Sequence, residues 1–342
     1  MDGVGFGWPS PLPRCMSDEN DDQGTLAPDE AFAVLGDETR MAILQALAGA
    51  DGPLSFSELR DRVGVEDSGR FNYHLGRLEG HFVGATEDGY RLRQPGRRVI
   101  AAVRSGAVTD SPVVEPTPVD AACPVCGAGS VVAFRRGSVD HYCPECAGHY
   151  GRVTLSGESA PGAGETTYGH LGSFELPPAG TQGRTPEELF RAATTRGLLS
   201  LIAVASGVCP HCSAPLTTSP TVCEDHDPAG DHCEACDNRH AVQLSFRCPN
   251  CPYGGQAAAA VALLAEGAVL AFLAGRGINP VAPSDPTAYS VALMDYEETV
   301  LATDPFEARF TFGVDGDTLT VTVDEELAVV EATVDGTGGA AP

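Results

Sequence analysis

Paired cysteines constrain this chain more than any other feature of its sequence. Twelve cysteines occur in 342 residues, and eleven of them lie between positions 123 and 251. Ten of these eleven form five C-x2-C pairs, a spacing at which two thiolates can bind one metal ion. Disulfides are rare in a reducing cytosol, so the pattern predicts metal sites rather than a disulfide framework.

The first four of the paired cysteines have the spacing C-x2-C-x16-C-x2-C, which is typical of a zinc ribbon. Strands predicted at residues 130–136 and 139–142 would bring the two knuckles together. Four protein ligands leave no open position for water, which favours structural Zn²⁺ over a catalytic site, and the spacing is unlike that of iron–sulfur proteins. We expect one zinc on Cys123, Cys126, Cys143 and Cys146.

A second cluster offers eight ligands in four pairs, each with a two-residue gap: Cys209, Cys212, Cys223, His226, Cys233, Cys236, Cys248 and Cys251. Two assignments remain open. Two zincs could bind alternating pairs, similar to the cross-brace of RING-type domains, with Cys209, Cys212, Cys233 and Cys236 on one ion and Cys223, His226, Cys248 and Cys251 on the other. Alternatively, two C-x2-C pairs bind one zinc, and Cys223 and His226 take no part. The neighbouring His211, His232 and His240 break the pairing and are not expected as ligands.

The region before the cysteine pairs is predicted to form a series of helices followed by a hairpin. Apolar residues recur at helical spacing after Pro28, and Asp37 is placed to cap a second helical segment. Ser55 and Glu58 form a capping box for a short helix that ends near Gly64. A third helix should begin at residue 67 or 68, and alternating segments at 83–86 and 90–93 predict a β-hairpin after it.

The segments GDETRMAILQAL, SFSELRDRVG and SGRFNYHLGRLEGHFV, together with the hairpin, resemble the winged helix-turn-helix of ArsR-type transcriptional regulators, in a haloarchaeal variant. The likeness covers roughly the first third of the chain. It implies a recognition helix in the major groove of double-stranded DNA, a wing on the backbone, and an operator bound by a homodimer. No cysteine lies between residues 16 and 122, so metal sensing within this domain is not expected.

Local charge agrees with DNA contact. Residues 60–104 hold nine arginines against six acids, whereas the whole chain has a net charge of -26. Paired hydrogen bonds to base edges suit Arg70, Asn72 and Arg77, and phosphate contacts suit the later arginines. For any single arginine, an ion pair with a neighbouring carboxylate is the alternative, and Arg40 and His74 are expected to be structural. The predicted DNA-contacting residues are Ser68, Arg70, Asn72, Tyr73, Arg77, Arg91, Arg93 and Arg97.

The whole chain is predicted to be an α+β multidomain protein. Its parts are a disordered acidic N-terminus (1–24), a winged helix-turn-helix (25–107), a four-cysteine zinc ribbon (120–152), a Gly/Pro-rich linker (153–184), and a unit (185–335) with a helix, the multi-cysteine module and a small acidic antiparallel sheet. In that sheet we expect a strand through Tyr289, Val291 and Leu293 and a hairpin around Asp315-Gly316-Asp317, packed on a helix at 257–275. The helices at 186–206 and 257–275 are candidate dimer surfaces.

Composition and motifs bound the function. All 21 basic residues are arginine, which beside 47 acids indicates adaptation to a salt-rich cytoplasm. No export signal is present, and a cytoplasmic location without membrane contact is expected. No nucleophile elbow, zinc-protease motif, P-loop or dinucleotide fingerprint occurs, so no enzyme is predicted. We predict a sequence-specific DNA-binding regulator with structural zinc, or alternatively a zinc-ribbon scaffold that binds a protein of the transcription machinery.

Overall fold

The computed structural model describes residues 26–155, 165–227, 232–279 and 286–336. These residues divide between two compact units, Met1–Arg104 and Ser105–Pro342. Over the described ranges the chain is mixed α and β, with eight α-helices, two 3-10 helices and fourteen strands in four antiparallel sheets. The predicted disordered segment 1–24 and Cys15 lie outside the described residues.

The first unit has the predicted order of helices followed by a hairpin. Asp37 caps α2 by accepting a hydrogen bond from the Arg40 amide at 3.0 Å, and the capping box of Ser55 and Glu58 at α3 is confirmed. Asp67 caps α4, as expected, by accepting from the amides of Gly69 and Arg70. The elements are α1 (Pro28–Leu35), α2 (Glu38–Ala48), α3 (Phe56–Val63), α4 (Ser68–Leu78), β1 (Val83–Thr86), β2 (Gly89–Leu92) and α5 (Gln94–Arg104).

The helix α5 was not predicted, because its first residues, Gln94-Pro95-Gly96, have the composition of a loop. Proline suits the first turn of a helix, where the amide would lack a partner in any case. Gly96 is required by packing, since a Cβ at this position would lie 2.4 Å from the carbonyl oxygen of Phe82. A short alternating hairpin therefore continues into a helix that packs Ile100 into the core.

One apolar core joins the helices of the first unit. Ile43, Leu44, Leu59, Phe71 and Leu75 are fully buried in it. Burying side chains of this size contributes about 1.5–3 kcal/mol each before the entropy of ordering the chain is subtracted. Three of these residues come from α3 and α4, so the core fixes the pair of helices joined by the turn at Gly64, which has a left-handed φ of 76°.

The second unit begins with a five-stranded sheet in the order β3-β4-β5-β7-β6. The predicted ribbon strands are confirmed as β4 and β5, which pair across the turn at Arg136 and Gly137. A 3-10 helix (Pro178–Thr181) follows, and α6 begins with the predicted capping box of Thr185 and Glu188. The elements are β3 (Val114–Ala122), β4 (Gly129–Arg135), β5 (Ser138–Cys143), β6 (Arg152–Leu155), β7 (Thr166–Glu175) and α6 (Pro186–Ala205).

The predicted Gly/Pro-rich linker at 153–184 is wrong for much of its described part. Residues 166–175 form the ten-residue strand β7, which pairs with both β5 and β6. Its glycines serve close packing rather than a loop: a Cβ on Gly169 would lie 2.1 Å from the carbonyl oxygen of Cys146. Composition alone could not separate these two uses of glycine.

Two further sheets complete the second unit. The three-stranded sheet has the order β10-β9-β8, and the four-stranded sheet runs β11-β12-β13-β14, with the predicted hairpin around Asp315 confirmed as β12 and β13. Strictly alternating burial along β12 gives this sheet one apolar face. The strands are β8 (Thr217–Val222), β9 (Val242–Arg247), β10 (Gly254–Ala258), β11 (Tyr296–Thr303), β12 (Phe306–Val314), β13 (Asp317–Val323) and β14 (Val329–Asp335).

One helix prediction and one strand prediction in this unit are corrected. Residues 257–275 are not one helix: β10 ends at Ala258, a 3-10 helix (Ala259–Ala265) follows, and extended backbone at Glu266 separates it from α7 (Gly267–Gly275). The expected strand through residues 289–293 is the helix α8 (Pro286–Met294). Tyr289 and Leu293 are buried, four residues apart and thus one helical turn. A run this short fits the two-residue period of a strand as well as the 3.6-residue period of a helix.

The contact between α6 and β7 gives a stability prediction. A Cβ on Gly197 of α6 would lie 2.2 Å from Cδ1 of Phe174 on β7, so Gly197→Ala forces the ring to move. We expect a loss of about 1–3 kcal/mol in the free energy of unfolding, measured by denaturant titration. Gly275→Ala is the matched control, because Gly275 is exposed at the end of α7 with nothing near its Cβ position. Equal stability of the two variants would contradict this packing.

Candidate metal centres and nucleic-acid interface

Three groups of four side chains in the second unit could each hold a metal ion. Within each group the ligand atoms all lie within 4.8 Å of one another. The groups use all twelve predicted ligands. We call them cluster 1 (Cys123, Cys126, Cys143, Cys146), cluster 2 (Cys209, Cys212, Cys248, Cys251) and cluster 3 (Cys223, His226, Cys233, Cys236).

The distances between sulfur atoms fit tetrahedral coordination. In cluster 1 the Sγ atoms of Cys123 and Cys146 are 3.6 Å apart, and in cluster 2 those of Cys212 and Cys248 are 3.5 Å apart. Zinc–sulfur bonds of about 2.3 Å arranged tetrahedrally place sulfurs about 3.8 Å apart, whereas a disulfide holds them at about 2.0 Å. Each donor set has four members, so it would complete the tetrahedral coordination sphere of one ion and leave no position for substrate.

Cluster 1 is built by the ribbon strands and their knuckles. Cys143 is the last residue of β5, and the amides of Val125 and Glu145 each lie 3.4 Å from the sulfur two residues before them. Gly148 follows the second knuckle with a φ of 78°, a left-handed conformation that favours glycine. The backbone therefore folds around the sulfurs, and their positions follow from the strand pairing and the two tight turns.

The order of ligands in clusters 2 and 3 is nested, and the cross-brace assignment is wrong. β8 and β9 are antiparallel, with Thr217 opposite Arg247 at one end and Val222 opposite Val242 at the other. Cysteines before β8 and after β9 therefore meet at the first end and form cluster 2. Residues after β8 and before β9 meet at the second end and form cluster 3, which requires Cys223 and His226. The single-zinc alternative for this region does not fit these two complete donor sets.

Hydrogen bonds favour the thiolate form at several ligands, among them Cys212 and Cys233. The Asn250 side chain and the Ala214 amide lower the pKa of the Cys212 thiol to about 6. Backbone hydrogen bonds at Asp227 and Cys236 lower the pKa of Cys233 to about 7. Burial acts in the opposite direction at Cys146 and raises its pKa above the usual value for a thiol. A bound cation would compensate the charge of such buried thiolates.

The three histidines left out of the ligand set have other partners. His211 Nε2 lies 2.6 Å from the Glu175 carboxylate, and His232 Nε2 accepts a hydrogen bond of 2.8 Å from the Gly151 amide. His240 Nε2 lies 2.9 Å from the Met294 carbonyl oxygen, and its ring stacks on Tyr296 at 3.9 Å. Their exclusion as ligands agrees with these contacts.

In the first unit, α4 separates its buried and polar residues by face. Phe71, His74, Leu75 and Leu78 are buried. His74 Nδ1 lies 3.2 Å from the Asp37 carboxylate, as a structural histidine would. The opposite face exposes five of the predicted DNA-contacting residues, and 62% of Tyr73 is accessible to solvent. These five residues are Ser68, Arg70, Asn72, Tyr73 and Arg77.

The other three predicted DNA-contacting residues, Arg91, Arg93 and Arg97, differ in how exposed their side chains are. The Arg93 guanidinium donates to the carbonyl oxygen of Gly80, so it is partly engaged within the unit. Arg91 is half-buried in a groove that also contains Asp51, whereas Arg97 is exposed on α5. Glu87 is exposed at the tip of the hairpin, where a carboxylate would repel phosphate. Arg40, expected to be structural, donates to the carbonyl oxygens of Val34 and Ala33.

Comparison with known proteins gives two family matches. The sequence profile of a domain of unknown function (DUF7351) matches residues 120–329, and that of another (DUF7347) matches residues 28–103. Neither the curated proteins nor the solved structures give a match. Among the described residues, every helix is too short or too polar to span a bilayer.

Zinc counting tests the nested order of clusters 2 and 3. We expect three zinc ions per chain, one for each cluster. Cys209→Ser with Cys248→Ser removes two ligands of one cluster and should leave two ions, whereas Cys209→Ser with Cys233→Ser disables two clusters and should leave one. Elemental analysis against protein concentration measures this. The cross-brace order would give the reverse result, and each double variant serves as the control for the other.

Removal of zinc should unfold the second unit and spare the first. Zinc binding to small structural sites contributes about 10–16 kcal/mol, and all three clusters lie between residues 123 and 251. After treatment of the full chain with a strong chelator, we expect loss of sheet signal in circular dichroism and proteolysis of the second unit. A fragment containing α1 to α5 should resist, and added zinc should restore the original pattern. Unchanged proteolysis after verified zinc removal would show that the clusters do not stabilise the fold.

Proposed function

We propose that this chain, which belongs to the DUF7351 family of domains of unknown function, is a sequence-specific DNA-binding transcriptional regulator. In this proposal the first unit is a winged helix-turn-helix that reads DNA, and the second unit is held together by structural zinc. The observation that carries the proposal is the exposed face of α4, where Arg70, Asn72, Tyr73 and Arg77 lie together on a helix without a single acid.

The side chains on this face suit base recognition. Arginine can donate two hydrogen bonds to guanine in the major groove, and asparagine can pair with the donor and acceptor of adenine. Arg70 and Asn72 are both exposed, and Tyr73, the residue after Asn72, adds an accessible aromatic ring. An exposed aromatic side chain beside two such residues has no role in the core of the unit, which favours a contact surface.

The scaffold holds this face rigidly. Phe71, Leu75 and Leu78 anchor the opposite side of α4, and the Phe56 ring meets that of Phe71 edge-on at 5.2 Å. A short helix, a tight turn and a second helix, followed by a hairpin, is the arrangement that helix-turn-helix proteins use to place one helix in the major groove. The DNA contacts would therefore be positioned by packed elements rather than by loops.

Salt would set the balance between base and phosphate contacts. The excess of acids indicates a salt-rich cytoplasm, where the entropy gained by releasing counterions from DNA is small. Affinity must then depend on base hydrogen bonds, apolar fit and the release of water. The acidic hairpin tip and the engaged Arg93 agree with a minor contribution from the wing.

Zinc has a structural role in this proposal. Each cluster offers four protein donors, so the ions would join strands and turns and would not bind substrate. The resemblance to ArsR-type regulators implies a homodimer on the operator. Such a dimer would bind an inverted repeat with half-sites about 34–36 Å apart, or a multiple of that distance.

Selection from a random duplex library tests the proposal. The full chain, loaded with zinc, is used in molar KCl, and we expect enrichment of an inverted repeat. Arg70→Ala or Asn72→Ala should each weaken binding to the selected site by about 5- to 150-fold, the equivalent of one lost base contact. Arg91→Ala should have a smaller effect, because Arg91 is half-buried and suits phosphate. Fluorescence anisotropy measures each affinity.

A matched control removes positive charge elsewhere. Arg191→Ala with Arg196→Ala takes two exposed arginines from α6 in the second unit and should leave DNA affinity unchanged. Equal losses in the Arg70 and Arg91 variants would contradict the proposed role of base contacts. Failure to enrich any sequence would contradict DNA recognition and favour the alternative, a zinc-ribbon scaffold for a protein of the transcription machinery.

A further inference from the structure

The second unit contains a cavity of about 470 Å³ between the five-stranded sheet, α6, α8 and β10. Its volume is in the range of small-molecule sites, which is about 300–1,000 Å³. Aromatic and aliphatic side chains form most of its wall, among them Phe174, Phe190, Leu198, Leu201, Phe246 and Leu293. None of these belongs to the metal clusters or to the face of α4.

The charges around the cavity disfavour an anion. Its described lining contains no arginine, and its one carboxylate, Glu175, lies 2.6 Å from His211 Nε2. A phosphate or carboxylate group placed here would lose its hydration without gaining a cation. An uncharged molecule with a large apolar surface meets no such cost.

One polar group in the wall lacks a partner within the described chain. The Tyr289 hydroxyl is buried without a hydrogen bond there, and only 3% of the residue is exposed. Other polar groups of the lining are already engaged: His141 Nε2 lies 2.8 Å from the Ser130 hydroxyl, and the Thr194 hydroxyl donates to the Phe190 carbonyl oxygen at 2.9 Å. A buried hydroxyl without a partner loses its hydration without compensation, so a ligand atom that accepts its proton would recover this cost.

Burial also fixes the state of this group. Desolvation raises the pKa of Tyr289 above the usual value for a phenol, so the hydroxyl keeps its proton and can donate. The partner it suits is a carbonyl or hydroxyl oxygen. Apolar walls with one fixed polar group that sets orientation are the usual composition of small-molecule sites.

We propose that this cavity binds an uncharged, largely apolar small molecule with a ring system and one oxygen that accepts a hydrogen bond from Tyr289. The six apolar side chains named above would contact the body of the ligand. Binding of this kind is distinct from the proposed DNA recognition, because all lining residues lie in the second unit. Either proposal can therefore fail while the other stands.

Nile red is the probe for the first test, because it is an uncharged, apolar ring system with a carbonyl oxygen. The full zinc-loaded chain is titrated without DNA, and we expect saturable binding of one molecule per chain with a blue-shifted emission. Tyr289→Phe should weaken this binding by about 2- to 12-fold, the equivalent of one hydrogen bond. The same variant should keep or raise the melting temperature of the free protein, since it removes a hydroxyl without a partner.

Tyr296→Phe is the matched control. Tyr296 is equally buried, at 5% exposure, but its side chain does not line the cavity. Its loss of a hydroxyl should leave Nile red binding unchanged. Equal weakening by both tyrosine variants would overturn the assigned role of Tyr289, and the absence of saturable binding would overturn the site itself.

A second pair of variants tests the position of the site by filling it. Ala257 lines the cavity, so Ala257→Leu should reduce Nile red binding at least tenfold, whereas Ala274→Leu on the exposed side of α7 should not. Zinc content and the circular dichroism spectrum show whether each variant is folded. Binding that resists Ala257→Leu in a folded protein would overturn the assignment. Equal affinity for anionic anilinonaphthalene sulfonate at the same site would overturn the preference for an uncharged ligand.

Discussion

The second unit brings its thiols together in three clusters, and a bound cation is the interaction that would hold each cluster closed. Sulfur atoms held 3.5 to 3.6 Å apart without a disulfide are stable together when a cation compensates their charge. Clusters 2 and 3 close the two ends of the β8–β9 ladder, and cluster 1 closes the β4–β5 ribbon. The strands that the clusters join are only six or seven residues long, so metal coordination would add its binding energy to that of the apolar core.

This dependence extends beyond the ligands. The Cys146 carbonyl oxygen lies so close to Gly169 that only glycine fits there, and this contact sets β7 against the second knuckle of cluster 1. The Gly151 amide donates to His232, the residue before Cys233, so the ribbon also touches cluster 3. Clusters 1 and 3, which are separate in sequence, are therefore linked by this hydrogen bond from a backbone amide to a side chain.

The sequence predicts those features that depend on local rules. Ser55 with Glu58, Thr185 with Glu188, and Asp67 mark helix starts because a cap needs only residues within one turn. The ligands themselves are visible because two-residue spacing is a local requirement of a knuckle. Their partition between ions was predicted wrongly, because it depends on which strands pair and in which register. The antiparallel pairing of residues 217–222 with residues 242–247 is what determines the nested order of the ligands.

Glycine and short apolar runs account for the other errors. Gly169 in β7 and Gly96 in α5 are required by close contacts with residues distant in sequence, and a composition rule interprets both as loop formers. The run around Tyr289 fits a strand and a helix equally well until its burial against the core is known. The cavity was beyond prediction for the same reason, since α6, α8 and four strands from two sheets contribute its wall only after they have packed.

The cavity and the metal clusters are linked by the helix that carries Tyr289. The carbonyl oxygen of Met294, the last residue of α8, lies 2.9 Å from His240 Nε2, and Arg239 forms an ion pair with Asp295. His240 and Arg239 belong to the segment between cluster 3 and β9, whose course is set by Cys236 and by the β8–β9 ladder. Metal coordination at cluster 3 would therefore help to position one wall of the cavity. A ligand bound there would stabilise the metal-bound fold, because binding to the folded state alone shifts the folding equilibrium towards that state.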